Sequence, residues 1–130
     1  MVIGGLGQLC VGVVDDDESL LRSVARLLRA AGMLAITYAS AEEFRADVQH
    51  PPFDCLVLDV QLPGMSGLEL RDQLAAEGIA TPVLFMTAHD DPRTRETAMA
   101  GRCAGFFSKT EAGSRLIDAI RLVATPPLPG

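Results

Sequence analysis

The feature that most constrains the fold of this chain is a set of three uninterrupted apolar runs. They lie at residues 9–14, 55–58 and 83–86. A strand with one wet face alternates apolar and polar residues, but these runs do not, and they are typical of parallel strands buried on both faces. Helices must then cover the two faces of the sheet. The chain is therefore predicted to have an α/β fold.

Amphipathic segments follow each predicted strand. The first helix is predicted from apolar residues at helical spacing, and Gly32 is predicted to end it. Its apolar face comprises Leu20, Leu21, Val24, Leu27, Leu28 and Ala31. A second helix opens with the capping-box pattern of Ser40 and Glu43, and we expect it to carry Phe44 and Val48.

Two more helices carry start signals. Ser66 with Glu69 forms another capping-box pattern, which predicts a helix that ends at Gly78. Asp91 before Pro92 predicts an N-cap and a first helical residue, with a helix to about residue 100. Short strands at 33–39 and 104–107 and a last helix at 112–123 complete the pattern. The order is β-α five times over, which predicts a parallel sheet.

Composition limits the class of protein. At 130 residues, the chain is long enough for one domain, predicted at 9–123 between an N-terminal extension (1–8) and a Pro-rich tail or linker (124–130). The net charge of −6 without a basic patch predicts no nucleic-acid binding by this segment. No run is long enough to span a membrane and no signal-peptide pattern is present. Three separated cysteines predict free thiols in a reducing, cytoplasmic setting.

Polar residues follow the predicted strands, where open α/β sheets bind their ligands. They are Asp15 and Asp16 after the first strand, Asp59 after the third, Thr87 after the fourth and Lys109 after the fifth. Three carboxylates at one edge repel each other unless a cation lies between them, and Mg²⁺ suits such oxygen ligands. Lys109 is the only lysine among 11 basic residues, and its ammonium suits a phosphoryl group or a carboxylate.

The position of Asp59 at the end of its strand allows several interpretations. It is a candidate nucleophile and a candidate metal ligand, but aspartate also commonly caps a strand or opens a turn. Asp17 is interpreted as an acid at the start of a helix, and Asp54 as an acid in a turn. His50 and His89 are interpreted as loop residues, with an alternative for His89 in hydrolysis of a phosphoryl group or in partner recognition.

Taken together, these motifs resemble the receiver domain of bacterial two-component response regulators over residues 9–123. The motifs are the acidic pair Asp15 and Asp16, an L-x-L-D-x-x-L-P-G-M-S-G context around Asp59, the Thr87-Ala88 pair and Lys109. The resemblance implies a flavodoxin-like, three-layer, doubly wound (βα)₅ fold. Its five-stranded parallel sheet would have the order 2-1-3-4-5.

The resemblance also implies roles for these residues. Asp59 would be the phosphorylation site, taking a phosphoryl group from the phosphohistidine of a sensor histidine kinase. Asp16, Asp59 and the backbone carbonyl of Gln61 would hold Mg²⁺, with Asp15 helping directly or through water. Lys109 would offset charge on the phosphoryl oxygens.

A switch and an output are implied as well. Thr87 and the Ala88 N–H would contact the phosphoryl group, and Phe106 occupies the aromatic switch position. The alternative for Phe106 is a plain core aromatic, because Phe107 beside it confuses the assignment. The fourth helix, fifth strand and fifth helix would form a possible homodimer face. A helix-turn-helix output domain that controls transcription would lie outside this chain, although a stand-alone receiver is an alternative.

The chain departs from the family pattern after Lys109. Proline is usual there, often after a cis peptide, but this chain has Thr110, for which a trans bond is predicted because a cis bond before a non-proline residue costs about 3–4 kcal/mol. Residues 101–105 also lack the usual alanine-glycine-alanine turn in register.

Two alternatives to a phosphoacceptor remain. An aspartate-nucleophile phosphohydrolase would place a second acid two residues after Asp59, where this chain has Gln61. A degenerate receiver would mediate protein contacts alone. The preferred interpretation is not an enzyme with external turnover, but a domain that catalyses only its own phosphorylation and dephosphorylation.

Overall fold

In the computed structural model, which describes residues 8–88, 91–101, 103–111 and 113–124, five strands alternate with five helices. The strands are β1 (Cys10–Val14), β2 (Leu34–Tyr38), β3 (Cys55–Asp59), β4 (Val83–Thr87) and β5 (Gly105–Ser108). The helices are α1 (Glu18–Ala30), α2 (Ala41–Ala46), α3 (Gly67–Ala76), α4 (Pro92–Ala100) and α5 (Ser114–Ala124), with a 3₁₀ turn at Lys109–Glu111. None of the helices described is long and apolar enough to cross a membrane.

The five strands form one parallel sheet in the order β2-β1-β3-β4-β5. In the register, Asp59 lies opposite Met86 and Thr87 lies opposite Ser108. The carboxyl ends of β3, β4 and β5 therefore lie side by side at one edge of the sheet. The predicted fold class and strand order are confirmed.

Two hydrophobic cores lie on the two faces of the sheet, which gives three layers. One core joins α1 and α5 to the sheet, and the other joins α2, α3 and α4 to it. Phe106 belongs to the second core, whereas Phe107 packs against the first, because adjacent strand residues point to opposite faces. Phe106 is thus the aromatic residue of β5 that faces α4.

The ends of α1 and α3 follow from their glycines. Gly32 and Gly78 adopt φ angles of +86° and +79°, in the left-handed region that glycine tolerates. After α1, the Met33 N–H donates to Leu28 O, and after α3 the Ile79 N–H donates to Leu74 O, which is the Schellman pattern. Both helix ends lie close to the glycines that the sequence indicated.

The second helix is shorter than predicted. It ends at Ala46, so Val48 lies outside it and is 84% exposed, and the expectation that α2 carries Val48 was wrong. The physical reason is Asp47, whose side chain accepts hydrogen bonds from the Tyr38 hydroxyl at 2.6 Å and from the Gln49 N–H at 3.3 Å. These bonds hold Asp47 in an extended conformation with ψ 90°.

The two predicted capping boxes differ. At α3, Ser66 and Glu69 bond reciprocally, so the full box is present. At α2, Ser40 accepts from the Glu43 N–H, but the Glu43 carboxylate accepts from the Ala39 N–H, one residue before the cap. The capping box at α2 is therefore only half formed.

His50 contributes more than a simple loop residue. Its ring stacks on Phe53, with centroids 4.5 Å apart, and on Phe44, at 5.8 Å. It thus extends the aromatic packing beside α2, which its place before two prolines did not indicate.

Gly67 offers a test of how tightly α3 packs on the edge of the sheet. A Cβ at Gly67 would lie 2.0 Å from the backbone oxygen of Asp59, whereas one at Gly12 would meet the side chains of Leu56 at 2.9 Å and Phe53 at 3.0 Å. Backbone moves less readily than side chains. We expect Gly12→Ala to lower the free energy of unfolding by about 1–3 kcal/mol and Gly67→Ala by more, measured by urea denaturation. A loss below about 0.5 kcal/mol for Gly67→Ala would contradict this packing.

Candidate functional site

The acidic residues and the lysine meet at the carboxyl edge of the sheet. Lys109 Nζ lies 2.8 Å from Asp15 Oδ2 and 3.1 Å from Asp59 Oδ2. Carboxylate oxygens of Asp15, Asp16 and Asp59 all lie within 4.8 Å of one another. Asp15 and Asp59 are buried, while Asp16 is exposed at the mouth of the site. The sheet topology explains this arrangement, since β1 and β3 are neighbours.

The remaining carboxylate oxygens accept backbone hydrogen bonds. The Asp17 N–H donates to Asp15 Oδ1 at 2.9 Å, and the Gln61 N–H donates to Asp59 Oδ1 at 3.2 Å. Each side chain is thus held by the chain that leaves its own strand, while its Oδ2 turns toward Lys109. Asp17 also caps α1 by accepting from the Leu20 N–H at 3.2 Å, as its helix-start interpretation predicted.

Burial and like charge dominate the electrostatics of Asp59. Removal from water, followed by the nearby negative charge of Asp15, raises its pKa from 3.8 to about 6, although Lys109 opposes the shift. For Lys109, burial alone would lower the pKa, but the bonds to Asp15 and Asp59 outweigh it and the pKa is raised. Above pH 6 the site therefore holds an ionised Asp59 beside a charged ammonium.

The donor set fits a hard divalent cation. Three carboxylates and one ammonium leave a charge of −2 when all are ionised. Asp15 Oδ2 is buried and, among the described residues, has the ion pair with Lys109 but no well-aligned hydrogen bond. Oxygen ligands with surplus negative charge and one exposed member suit Mg²⁺, which keeps several waters. The acidic cluster is consistent with the predicted metal site.

Thr87 and Phe106 lie on the same side of the sheet. Thr87 is buried at the end of β4, two residues after Phe85, and Phe85 pairs with Phe106 in the register. The guanidinium carbon of Arg95, on α4, lies 4.7 Å from the centre of the Phe106 ring. Ala88 follows Thr87 and is exposed. Of the predicted switch residues, Phe106 therefore contacts α4.

The loop after Lys109 has its own hydrogen bonds. The hydroxyl oxygens of Ser108 and Thr110 lie 2.8 Å apart, and the Thr110 N–H donates to Ser108 Oγ at 3.3 Å. Where the structure describes the chain, no peptide bond is cis, in agreement with the trans bond predicted at Lys109. Serine and threonine hydroxyls thus order the turn in which the family pattern has proline. His89 lies outside the described residues.

Two residues with structural roles were not predicted from the sequence. Glu42, at the start of α2, accepts from the Met65 N–H at 2.8 Å and so braces the loop that follows Asp59. Arg71 is 4% exposed on the buried face of α3. Arg71 lies one residue after Leu70 and three residues before Leu74. This helical spacing places Arg71 on the apolar face of α3, so the sequence did contain a signal for its burial.

Comparison with known proteins identifies the family of this chain. The family model for the response regulator receiver domain matches residues 11–121. Nodulation protein W of Bradyrhizobium diazoefficiens is 39% identical over 110 residues, which cover 85% of this chain and 48% of that protein. Transcriptional regulatory protein FixJ of Azorhizobium caulinodans is 39% identical over 116 residues, 87% of this chain and 54% of that protein. A response regulator receiver protein from Burkholderia phymatum has a TM-score of 0.77 and 42% identity, covering 92% of this chain and 99% of that one.

The chain therefore belongs to the response regulator receiver family. It spans about half the length of the curated relatives it matches.

The raised pKa of Asp59 predicts a pH-dependent stability. The folded state binds more protons than the unfolded state between pH 4 and pH 6, so stability of the metal-free protein should fall as pH rises through this window. The full loss is about 3 kcal/mol and levels off above pH 6. Asp59→Asn should lack this fall, while Asp118→Asn, an exposed control on α5, should keep it. Urea denaturation with a chelator tests this, and parallel pH curves for wild type and Asp59→Asn would contradict it.

Removal of the ammonium predicts a stability defect that Mg²⁺ repairs. Lys109→Met leaves Asp15 and Asp59 facing each other without a countercharge, which should lower the free energy of unfolding by about 3 kcal/mol. At the same Mg²⁺ concentration, this variant should gain more stability than the wild type, because the ammonium no longer offsets the acids and the variant binds Mg²⁺ more tightly. The gain is about 2.7 kcal/mol at a hundred times the Kd of the variant. Urea midpoints against Mg²⁺ concentration measure this, with Arg26→Met as an exposed control. Midpoints that do not respond to Mg²⁺ would exclude the metal site.

Proposed function

We propose that this chain is a phosphoacceptor receiver domain in which Asp59 takes a phosphoryl group from the phosphohistidine of a sensor histidine kinase. The observation that carries the proposal is the buried Asp59 carboxylate, 3.1 Å from Lys109 Nζ and clustered with Asp15 and Asp16. An ionised carboxylate is a competent nucleophile at neutral pH, which lies above the pKa of about 6.

The transfer step balances without a further reactant. An Asp59 carboxylate oxygen attacks phosphorus, the phosphorus–nitrogen bond of phosphohistidine breaks, and its electron pair leaves with the imidazole, which gains a proton. The product is a mixed carboxylic–phosphoric anhydride on Asp59. Water then attacks that phosphorus, which releases inorganic phosphate and restores the carboxylate.

The acids and the lysine have distinct roles in this step. Mg²⁺, when bound, supplies positive charge that offsets the phosphoryl oxygens, and Asp15, Asp16, Asp59 and the Gln61 backbone carbonyl are its proposed ligands. The ammonium of Lys109 lies between Asp15 and Asp59, and it would form an ion pair with the phosphoryl group after the transfer. A phosphoryl group adds about −1.5 to −2 charges, which favours the ammonium at that place.

The switch would use residues beside α4. The Thr87 hydroxyl and the Ala88 N–H are proposed to contact the phosphoryl group once it is attached. Phe106, on the same side of the sheet, would repack as Thr87 moves, because both belong to the face that α4 covers. A local charge change can bias a two-state element in this way.

The partners follow from the family and remain proposals. A sensor histidine kinase would supply the phosphoryl group, and α4, β5 and α5 would form a homodimer face. The relative FixJ is named as a transcriptional regulatory protein, and this chain spans about half of it, which supports a DNA-binding output outside this segment. We propose no external catalytic turnover, only phosphorylation of Asp59 and its reversal.

Mass measurement after incubation with a phosphodonor tests the proposal. With Mg²⁺ and acetyl phosphate, the wild type should gain the mass of one phosphoryl group. Asp59→Asn should gain none, because its amide is a poor nucleophile, and Asp118→Asn should behave like the wild type. A chelator should abolish the gain.

Other outcomes favour the alternatives. If no donor or metal condition modifies the wild type, the chain is a degenerate receiver that acts through protein contacts. Steady release of phosphate from an unrelated phosphomonoester would instead indicate an aspartate-nucleophile phosphohydrolase.

A further inference from the structure

Arg71 is a buried charge that the proposed mechanism does not use. The buried polar or charged side chains among the described residues are Asp15, Asp59, Thr87 and Arg71. The first three belong to the site, whereas Arg71 lies on α3, one element away from it. An unpaired charge is costly to bury, so a buried arginine is expected to have partners for its guanidinium. The groups that contact Arg71 therefore indicate its role.

The guanidinium of Arg71 joins three elements. Its Nη1 donates to the carbonyl oxygen of Ala98, on α4, at 2.6 Å, and its Nε donates to Asp72 at 2.7 Å. Its Cζ lies 5.5 Å from the centre of the Phe85 ring in β4. The group therefore lies between α3, β4 and the carboxyl end of α4.

The end of α4 needs such a partner. Its last turn contains no basic residue, and its last carbonyl oxygens carry the partial negative charge of the helix end. Gly101, the C-cap, leaves room for the guanidinium, since a Cβ there would lie 2.6 Å from Arg71 Cζ. Many helices carry a basic residue in their own last turn. At the end of α4, the positive charge comes instead from Arg71 on the neighbouring helix α3.

We propose that Arg71 is a positioning residue that anchors the carboxyl end of α4 to α3 and β4. The inference that this anchor shapes the response of α4 to phosphorylation rests on the proposed function. Phe85, under the guanidinium, lies two residues before Thr87 and pairs with Phe106, so the anchor contacts the strand that carries the switch residue. Without the anchor, α4 would keep its contacts through Ala98 and Arg95, but its carboxyl end would be less firmly coupled to β4.

Hydrogen exchange of the unmodified protein tests the anchor. Arg71→Met removes the charge and keeps much of the length, so the α4 amides should exchange about ten to a hundred times faster, as expected from loss of a charged hydrogen bond. Arg71→Lys should restore part of the protection, and the exposed control Arg26→Met should leave α4 unchanged. Exchange in α4 of Arg71→Met equal to that of Arg26→Met would overturn the proposal.

Gly101 provides a second, independent test. The φ of Gly101 is −106°, so alanine is compatible with its backbone and the contact with the guanidinium is the expected source of any effect. Gly101→Ala should speed exchange in α4 by displacing Arg71. In an Arg71→Ala background the same change should have little further effect. Equal effects in both backgrounds would overturn the proposal.

Phosphorylation separates anchoring from a general loss of stability. In the wild type, acetyl phosphate with Mg²⁺ should change the exchange of α4, and in Arg71→Met this change should be lost although Asp59 still gains a phosphoryl group. A full response of α4 in Arg71→Met would overturn the role in signalling. If the wild type itself gains no phosphoryl group, the proposed function fails, while exchange in the unmodified protein still decides the anchor.

Discussion

The arrangement of this domain depends on one interaction, the ammonium of Lys109 between two buried carboxylates. Asp15 follows β1 and Asp59 ends the neighbouring β3, and their burial without a countercharge would be costly. Lys109 reaches both from the turn after β5, so the ion pairs tie the first, third and fifth strands together at one edge. Gly67 lets α3 approach the Asp59 backbone closely at the same edge. The fold therefore concentrates negative charge where one cation cannot fully neutralise it, and this surplus makes the edge suited to a metal ion.

Much of this could be predicted from the sequence because the signals were local. Continuous apolar runs predict buried parallel strands, and the ends of those strands place Asp15, Asp59 and Lys109 at one edge of the sheet. The helix ends at Gly32 and Gly78 followed from the conformational freedom of glycine. In each case a short stretch of chain contained enough information, because the physical cause acted within that stretch.

What the sequence did not predict depends on contacts between distant residues. The apolar spacing predicts that the second helix includes Val48, but the Tyr38 hydroxyl, from the preceding strand, holds Asp47 outside the helix. Glu43 follows the capping-box pattern, yet its carboxylate binds one residue earlier, at Ala39. The orientation of Phe106 and Phe107 also depends on the register of β5, which decides the face that each ring occupies.

Arg71 shows where pattern and chemistry conflict. Its position on α3 belongs to the apolar face, and a charged residue there is normally read as exposed. The conflict disappears once the end of α4 is considered, because a helix that ends without a basic residue of its own offers carbonyl oxygens to a neighbouring guanidinium. Gly101, which lies in the segment that departs from the family pattern, leaves the space that Arg71 fills. A change at either residue therefore alters the same helix end, so the two positions must be interpreted together.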